Sequence, residues 1–179
     1  MHRTPRNSRR RVRVAPSLRA WGLLLALFAL RTAAESLPDD EVHLLRVGAA
    51  DIRLHDGLDW PYAIDVTYRS HPLGAWRVAP AVGIELADGG ARFYYVEAQR
   101  AFPINGRWSV VPALGLGFFQ DGSDLDLGHD LQFRTALSFG YRLRPAWCVG
   151  VSFTHISNAG LEDSNPGTEE MAVWVSREI

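Results

Sequence analysis

The sequence predicts an all-β protein, an eight-stranded antiparallel transmembrane β-barrel of the bacterial outer membrane, and three observations carry that expectation. Past the first 34 residues, apolar side chains alternate with small or polar ones instead of recurring at helical spacing. The alternating runs are separated by turn residues at fairly even intervals, giving seven turns and so eight strands. Trp76, Trp108 and Trp147 each stand in an apolar row at the start of an odd-numbered strand, at one level, where an indole ring suits a membrane interface. The composition, 47% hydrophobic and 22% charged over 179 residues, excludes collagen-like, disordered and disulfide-scaffold classes.

The first element is a leader. All 19 basic residues are arginine, and eight of them precede residue 35, where no acid occurs. Residues 1–34 therefore carry +8 and the remainder −9. The apolar run Trp21 to Leu30 follows the arginines, and small residues at Thr32, Ala33 and Ala34 follow the run. This is the pattern of a secretory signal peptide cleaved after Ala34, leaving 35–179 as one domain. Ten apolar residues are too few to cross a bilayer as a helix, which needs about 20. The acidic body excludes nucleic-acid binding through a basic surface, and a single cysteine, Cys148, excludes an internal disulfide or a cysteine-based zinc site.

The strands follow, divided by turns expected at 56–60, 70–74, 88–90, 105–106, 121–128, 144–145 and 158–167. In the third, Trp76, Val78, Pro80, Val82, Ile84 and Leu86 share a face. In the fifth, Trp108, Val110, Pro112, Leu114, Leu116 and Phe118 do so, and in the sixth Phe133, Thr135, Leu137, Phe139 and Tyr141. Runs of about 9 to 11 residues suit tilted membrane strands. The opposite face is small, glycine-rich and sparsely charged, as a narrow lumen filled by side chains requires. There Glu85 and Glu97 are expected to pair with Arg77 and Arg134. The pattern W-x-V-x-P-A-x-G occurs at 76–83 and again at 108–115, and since proline removes a ladder hydrogen bond, a bulge is expected at Pro80 and at Pro112. With the amino terminus in the periplasm, the short turns lie inside and the longer acidic loops outside. A soluble sandwich alternates too, but predicts no such sorting.

The chemistry concentrates in the last two strands. In the seventh, Trp147, Val149, Val151, Phe153, His155 and Ser157 share the outward face, so an apolar row ends in a histidine and a serine. In the eighth, Glu169 shares its face with Met171, Val173 and Val175, and the loop after Asn158 returns it beside His155. Ser157, His155 and Glu169 would then supply nucleophile, general base and orienting carboxylate. Glu170, on the opposite face, competes for the last role. The Asn158 side chain and the backbone amides of Ala159 and Gly160 could donate to an oxyanion or could simply form a turn. An isolated H-x-S is far more often structural than catalytic, and the spacing alone leaves both readings open.

The run F-x-H-x-S-N-A-G at 153–160, followed by N-x-G-x-E at 165–169, resembles the lipid A deacylase (PagL-type, acyloxyacyl hydrolase) family. The resemblance implies an outer-membrane serine esterase that removes the 3-O-linked acyl chain of lipid A. It implies catalytic roles for His155, Ser157 and Glu169 and an oxyanion role for Asn158. It also implies no metal or organic cofactor, lipopolysaccharide and the membrane as partners, and an oligomeric state left open, a homodimer included. A catalytically silent barrel with a structural or adhesive role is the alternative, and it would have no reason to hold a lipid-facing His, Ser and Glu together. The acidic run at 121–126 could bind divalent cations, although a solvated loop explains it more simply.

Overall fold

The computed structural model describes residues 43–53, 62–123 and 126–179, with the backbone alone at 51–53. The chain divides into Met1–Leu30 and Arg31–Ile179, and every described residue falls in the second unit. The expected signal peptide and the turn at 56–60 lie outside the described residues.

Eight long strands are present: β1 Leu44–Arg53, β2 Tyr62–Arg69, β3 Ala79–Ala87, β4 Arg92–Gln99, β5 Trp108–Gln120, β6 Leu131–Arg144, β7 Trp147–Ser157 and β8 Thr168–Glu178. Each pairs antiparallel with the next, and β8 pairs with β1, so the sheet closes and leaves no edge. A two-residue piece, Phe102–Pro103, continues the track of β4 along β5.

No bulge occurs at either proline, contrary to expectation. The register runs unbroken through Pro80 and Pro112, and the one irregularity in the ladders between the described strands falls between Arg142 and Arg144. Both prolines are accommodated by losing a single bond. The Arg100 N–H donates to the Pro112 carbonyl at 3.2 Å, and the return bond, which proline cannot give, is where β4 breaks from Phe102–Pro103. Pro80 accepts from the Ser70 N–H at 2.9 Å just past the end of β2, where a lost bond ends a ladder instead of interrupting one. Trp76 departs from expectation as well: β3 starts at Ala79, and Trp76 sits in a turn shaped by positive φ at Gly74 and Arg77. Trp108 and Trp147 do open β5 and β7.

The faces are inverted relative to a soluble protein. Val173 is 63% exposed, Val96 52% and Phe153 50%, while Glu85, Glu97, Arg134 and Glu170 are each at most 6% exposed. Large apolar residues outside and charges inside suit a wall facing lipid, not a sandwich in water. The lumen is filled by a bonded polar network. Arg46 pairs with Asp65 at 3.1 Å, Thr67 donates to Asp65 at 2.8 Å, and the Tyr95 hydroxyl donates to the same carboxylate. Arg134 pairs with Glu97 and lies 4.5 Å over the Tyr95 ring. Gly83 makes room for that ring, since a Cβ there would stand 2.2 Å from Tyr95 Cζ. Arg77 stands on the exposed rim, in the turn before β3, while Glu85 lines the same small interior cavity as Arg134 and Glu170. At one end, Phe93, Phe119, Leu127 and Ile156 close the lumen with an apolar plug.

Candidate active site

The β7–β8 register places His155 directly opposite Glu169. Both side chains point outward, about half exposed, with His155 Nδ1 3.4 Å from Glu169 Oε1. With Nδ1 turned to the carboxylate, Nε2 is the nitrogen left to take a proton. Ser157 lies two residues further along β7 and therefore on the same face. Glu170 is across the sheet, buried in the lumen opposite Thr154, and cannot reach the imidazole. The register thus brings Glu169, and not Glu170, beside His155.

The loop 158–167 is built by Asn158, which is fully buried. Its Nδ2 donates to the Ser164 carbonyl at 2.7 Å and to that of Leu127 at 3.4 Å, and its Oδ1 accepts from the Gly160 N–H at 2.9 Å. The expected oxyanion group is therefore divided. In this arrangement Asn158 braces the loop from inside and does not present its amide at the outer face, and the Gly160 N–H is spent on Asn158. Among the described residues the Ala159 N–H carries no hydrogen bond, and Ala159 has a φ of +55°.

Two positions gain roles that their motif alone did not explain. Asn165 accepts the Asn158 N–H at 3.0 Å through its side chain, fastening the far end of the loop to the end of β7. Gly167, with a φ of +63°, runs against the outward side chains: a Cβ there would stand 3.5 Å from His155 Cε1 and 3.6 Å from Ser157 Cβ. Both residues stand in the N-x-G-x-E run, and only the folded loop shows what each touches. This loop also locks onto the preceding one. Gly128 approaches so closely that a Cβ would lie 2.6 Å from the Ser164 carbonyl oxygen, and Gln132 holds the Leu127 carbonyl at 3.4 Å.

Among the described residues there is no group of three or more His, Cys, Asp or Glu arranged to hold a metal ion. Asp126 is engaged locally, accepting the Gly128 N–H at 2.7 Å, and Asp124 of the acidic run lies outside the described residues.

A family model described as lipid A 3-O-deacylase (PagL) matches residues 64–177. The lipid A deacylase PagL of Bordetella bronchiseptica (strain ATCC BAA-588 / NCTC 13252 / RB50) is 29% identical over 90 residues, a match covering 46% of this chain and 51% of that protein. The chain thus spans about half the length of this curated relative. Among solved structures, the outer membrane enzyme PagL superposes with a TM-score of 0.57 at 18% identity, covering 76% of this chain and 99% of that one. Neisserial surface protein A gives 0.57 at 10% identity, covering 78% and 97%. A de novo designed transmembrane β-barrel gives 0.58 at 10% identity, covering 80% and 100%. These likenesses, at such identities, establish the eight-stranded barrel.

Proposed function

The chain belongs to the lipid A 3-O-deacylase (PagL) family, and from that premise we propose that it is an outer-membrane serine esterase that hydrolyses the 3-O-linked acyl chain of lipid A. The observation that carries this reading is the His155–Glu169 contact of 3.4 Å on the lipid-facing wall. Ionisable groups on a lipid-facing wall cost free energy, more the deeper they lie, and this pair is held together there by its own contact. Residues 1–34 act as the signal peptide, and the start of β1 and the end of β8 lie on the periplasmic side, so the loop 158–167 faces outward in the outer leaflet.

In the first step His155 Nε2 takes the Ser157 hydroxyl proton as Oγ attacks the ester carbonyl carbon. Glu169 holds the imidazole and stabilises its charged form. The oxyanion is met by the Ala159 amide, and Asn158 contributes by holding that amide in place. Collapse expels the lipid A 3-hydroxyl, which receives the proton from His155, and the acyl group remains on Ser157 Oγ. Water, deprotonated by His155, then cleaves the acyl-enzyme and frees the 3-hydroxy fatty acid. The triad stands where the outward apolar rows end, the level at which an acyl ester joins its headgroup, so the substrate reaches it by diffusing within the leaflet.

The test is mass spectrometry of lipid A from cells with and without the protein. Loss of one 3-hydroxyacyl mass is expected with the wild type. Ser157→Ala and His155→Ala should each leave an assembled barrel and unmodified lipid A. Near wild-type deacylation by folded Ser157→Ala would remove the serine mechanism. Unchanged lipid A with the wild type would instead favour the silent-barrel reading.

A further inference from the structure

The end of the barrel opposite the triad carries a second constellation. Arg107, Arg142 and Arg144 line one depression of about 440 Å³, together with a single carboxylate, Glu178. The two turns that form it are tied by the Arg142 N–H, which donates to the Arg107 carbonyl at 2.8 Å. The guanidinium groups are positioned by rings. Arg107 donates to the Tyr141 hydroxyl at 3.1 Å, and Arg144 lies 5.3 Å over Trp147. Tyr141 in turn leans on Trp108, with centroids 4.8 Å apart.

Those two rings also bound an apolar groove of about 640 Å³ on the outward wall, whose other walls include Phe139, Val149, Val151 and Val173. Pocket and groove therefore meet at Tyr141, whose ring lines one and whose hydroxyl binds an arginine of the other. Their depth follows from strand geometry. A strand tilted by about 40° and rising about 3.3 Å per residue climbs roughly 2.5 Å along the membrane normal at each step. Val151 and Val149 are four and six residues from His155, hence roughly 10 to 15 Å deeper in an apolar band about 25 Å tall. The groove thus begins near the bilayer midplane and runs toward the interface opposite the proposed substrate.

We propose that the arginine pocket and the adjoining groove bind one anionic glycerophospholipid of the periplasmic leaflet, its phosphate between Arg107 and Arg144 and an acyl chain along Tyr141, Phe139 and Val151. Guanidinium forks match phosphate oxygens. Three arginines against one carboxylate favour a headgroup with net negative charge over one whose phosphate is balanced by its own ammonium. Which leaflet supplies the lipid rests on the orientation proposed above, whereas the binding chemistry does not.

The experiment uses the purified barrel carrying Ser157→Ala, so that no chain is cut and the readout is independent of deacylation. In detergent it is mixed with phosphatidylglycerol, phosphatidylcholine or glycerol 3-phosphate, and bound ligand is counted by native mass spectrometry. Heat-modifiable gel migration verifies each variant's fold. Phosphatidylglycerol should be retained in preference to phosphatidylcholine. Arg107→Gln and Arg144→Gln should each reduce that retention about fivefold, the effect of one basic side chain near an anionic surface. Val173→Trp, which fills the groove and leaves the arginines, should reduce it too, and Arg92→Gln at the opposite rim should not. Equal retention of the two phospholipids, or retention indifferent to both arginine substitutions, would overturn the site. Glycerol 3-phosphate binding as well as phosphatidylglycerol would overturn the role of the groove.

Discussion

At the scale of single residues, the site turns on the period-two alternation of β8, which sends Glu169 and Glu170 to opposite faces. Glu169 stands 3.4 Å from the imidazole, and Glu170 is buried among lumen charges. Glu169→Gln should therefore lower turnover by orders of magnitude, up to about 10⁴ by analogy with the orienting aspartate of a serine protease triad. Glu170→Gln should leave turnover within a few fold. Steady-state deacylation by folded, detergent-purified variants checks both, and the reverse pattern would mean that β8 functions one residue out of register. Gly167 gives a second expectation. Valine there is strained by the +63° φ and projects into the space between His155 and Ser157, so Gly167→Val should fall in kcat with the barrel still assembled. The shared outward face of Ser157, His155 and Glu169 was legible because polar groups there interrupt an apolar row. The function of Gly167 was not, because it depends on a through-space approach that spacing does not encode.

At the scale of elements, the loop 158–167 is held to the barrel by one buried side chain. Asn158 joins Leu127, Gly160, Ser164 and Asn165 through four hydrogen bonds. Asn158→Ala removes the side chain from three of them, freeing the Gly160 N–H and the Ser164 carbonyl while Gln132 still reaches the Leu127 carbonyl, a loss of about 0.5–1.5 kcal/mol for each bond. We expect the loop to open locally, seen as faster amide hydrogen exchange over 158–167 with β1–β6 unchanged, together with reduced deacylation. Lost activity with unchanged exchange would instead assign the Asn158 amide directly to the oxyanion. The sequence left Asn158 open between an oxyanion donor and a turn residue, and the folded loop shows its side chain bonded inward. A residue following the outward Ser157 points inward by alternation, and that argument was available. The prolines show the converse limit. Whether a proline forces a bulge depends on which neighbour its missing N–H would have faced, and that is a property of the closed sheet.

At the scale of the whole molecule, the barrel replaces an apolar core with a charged one. Its closure was legible, since alternation over eight runs with a small inner face leaves few other solutions, and so was the pairing of Glu97 with Arg134, but not the place of Arg77, which stands on the exposed rim. The sequence places Glu85, Glu97 and Arg134 on inward faces, yet strand stagger decides which of them meet. Arg134 and Glu97 pair while both are nearly inaccessible to water, so removing one partner strands the other charge. Arg134→Ala should destabilise the barrel by about 3–5 kcal/mol, the usual cost of breaking a buried pair. Arg134→Met with Glu97→Gln, which removes both charges and keeps volume, should recover most of that loss. Urea midpoints read from heat-modifiable migration in lipid vesicles compare the variants directly. If the single and double variants were equally destabilised, Arg134 would be stabilising the barrel by packing over Tyr95 more than by neutralising Glu97. In either case the proposed triad, which stands on the opposite face of the wall, should keep its pH profile in whatever fraction remains folded, because the lumen network makes no contact with His155 or Glu169 among the described residues.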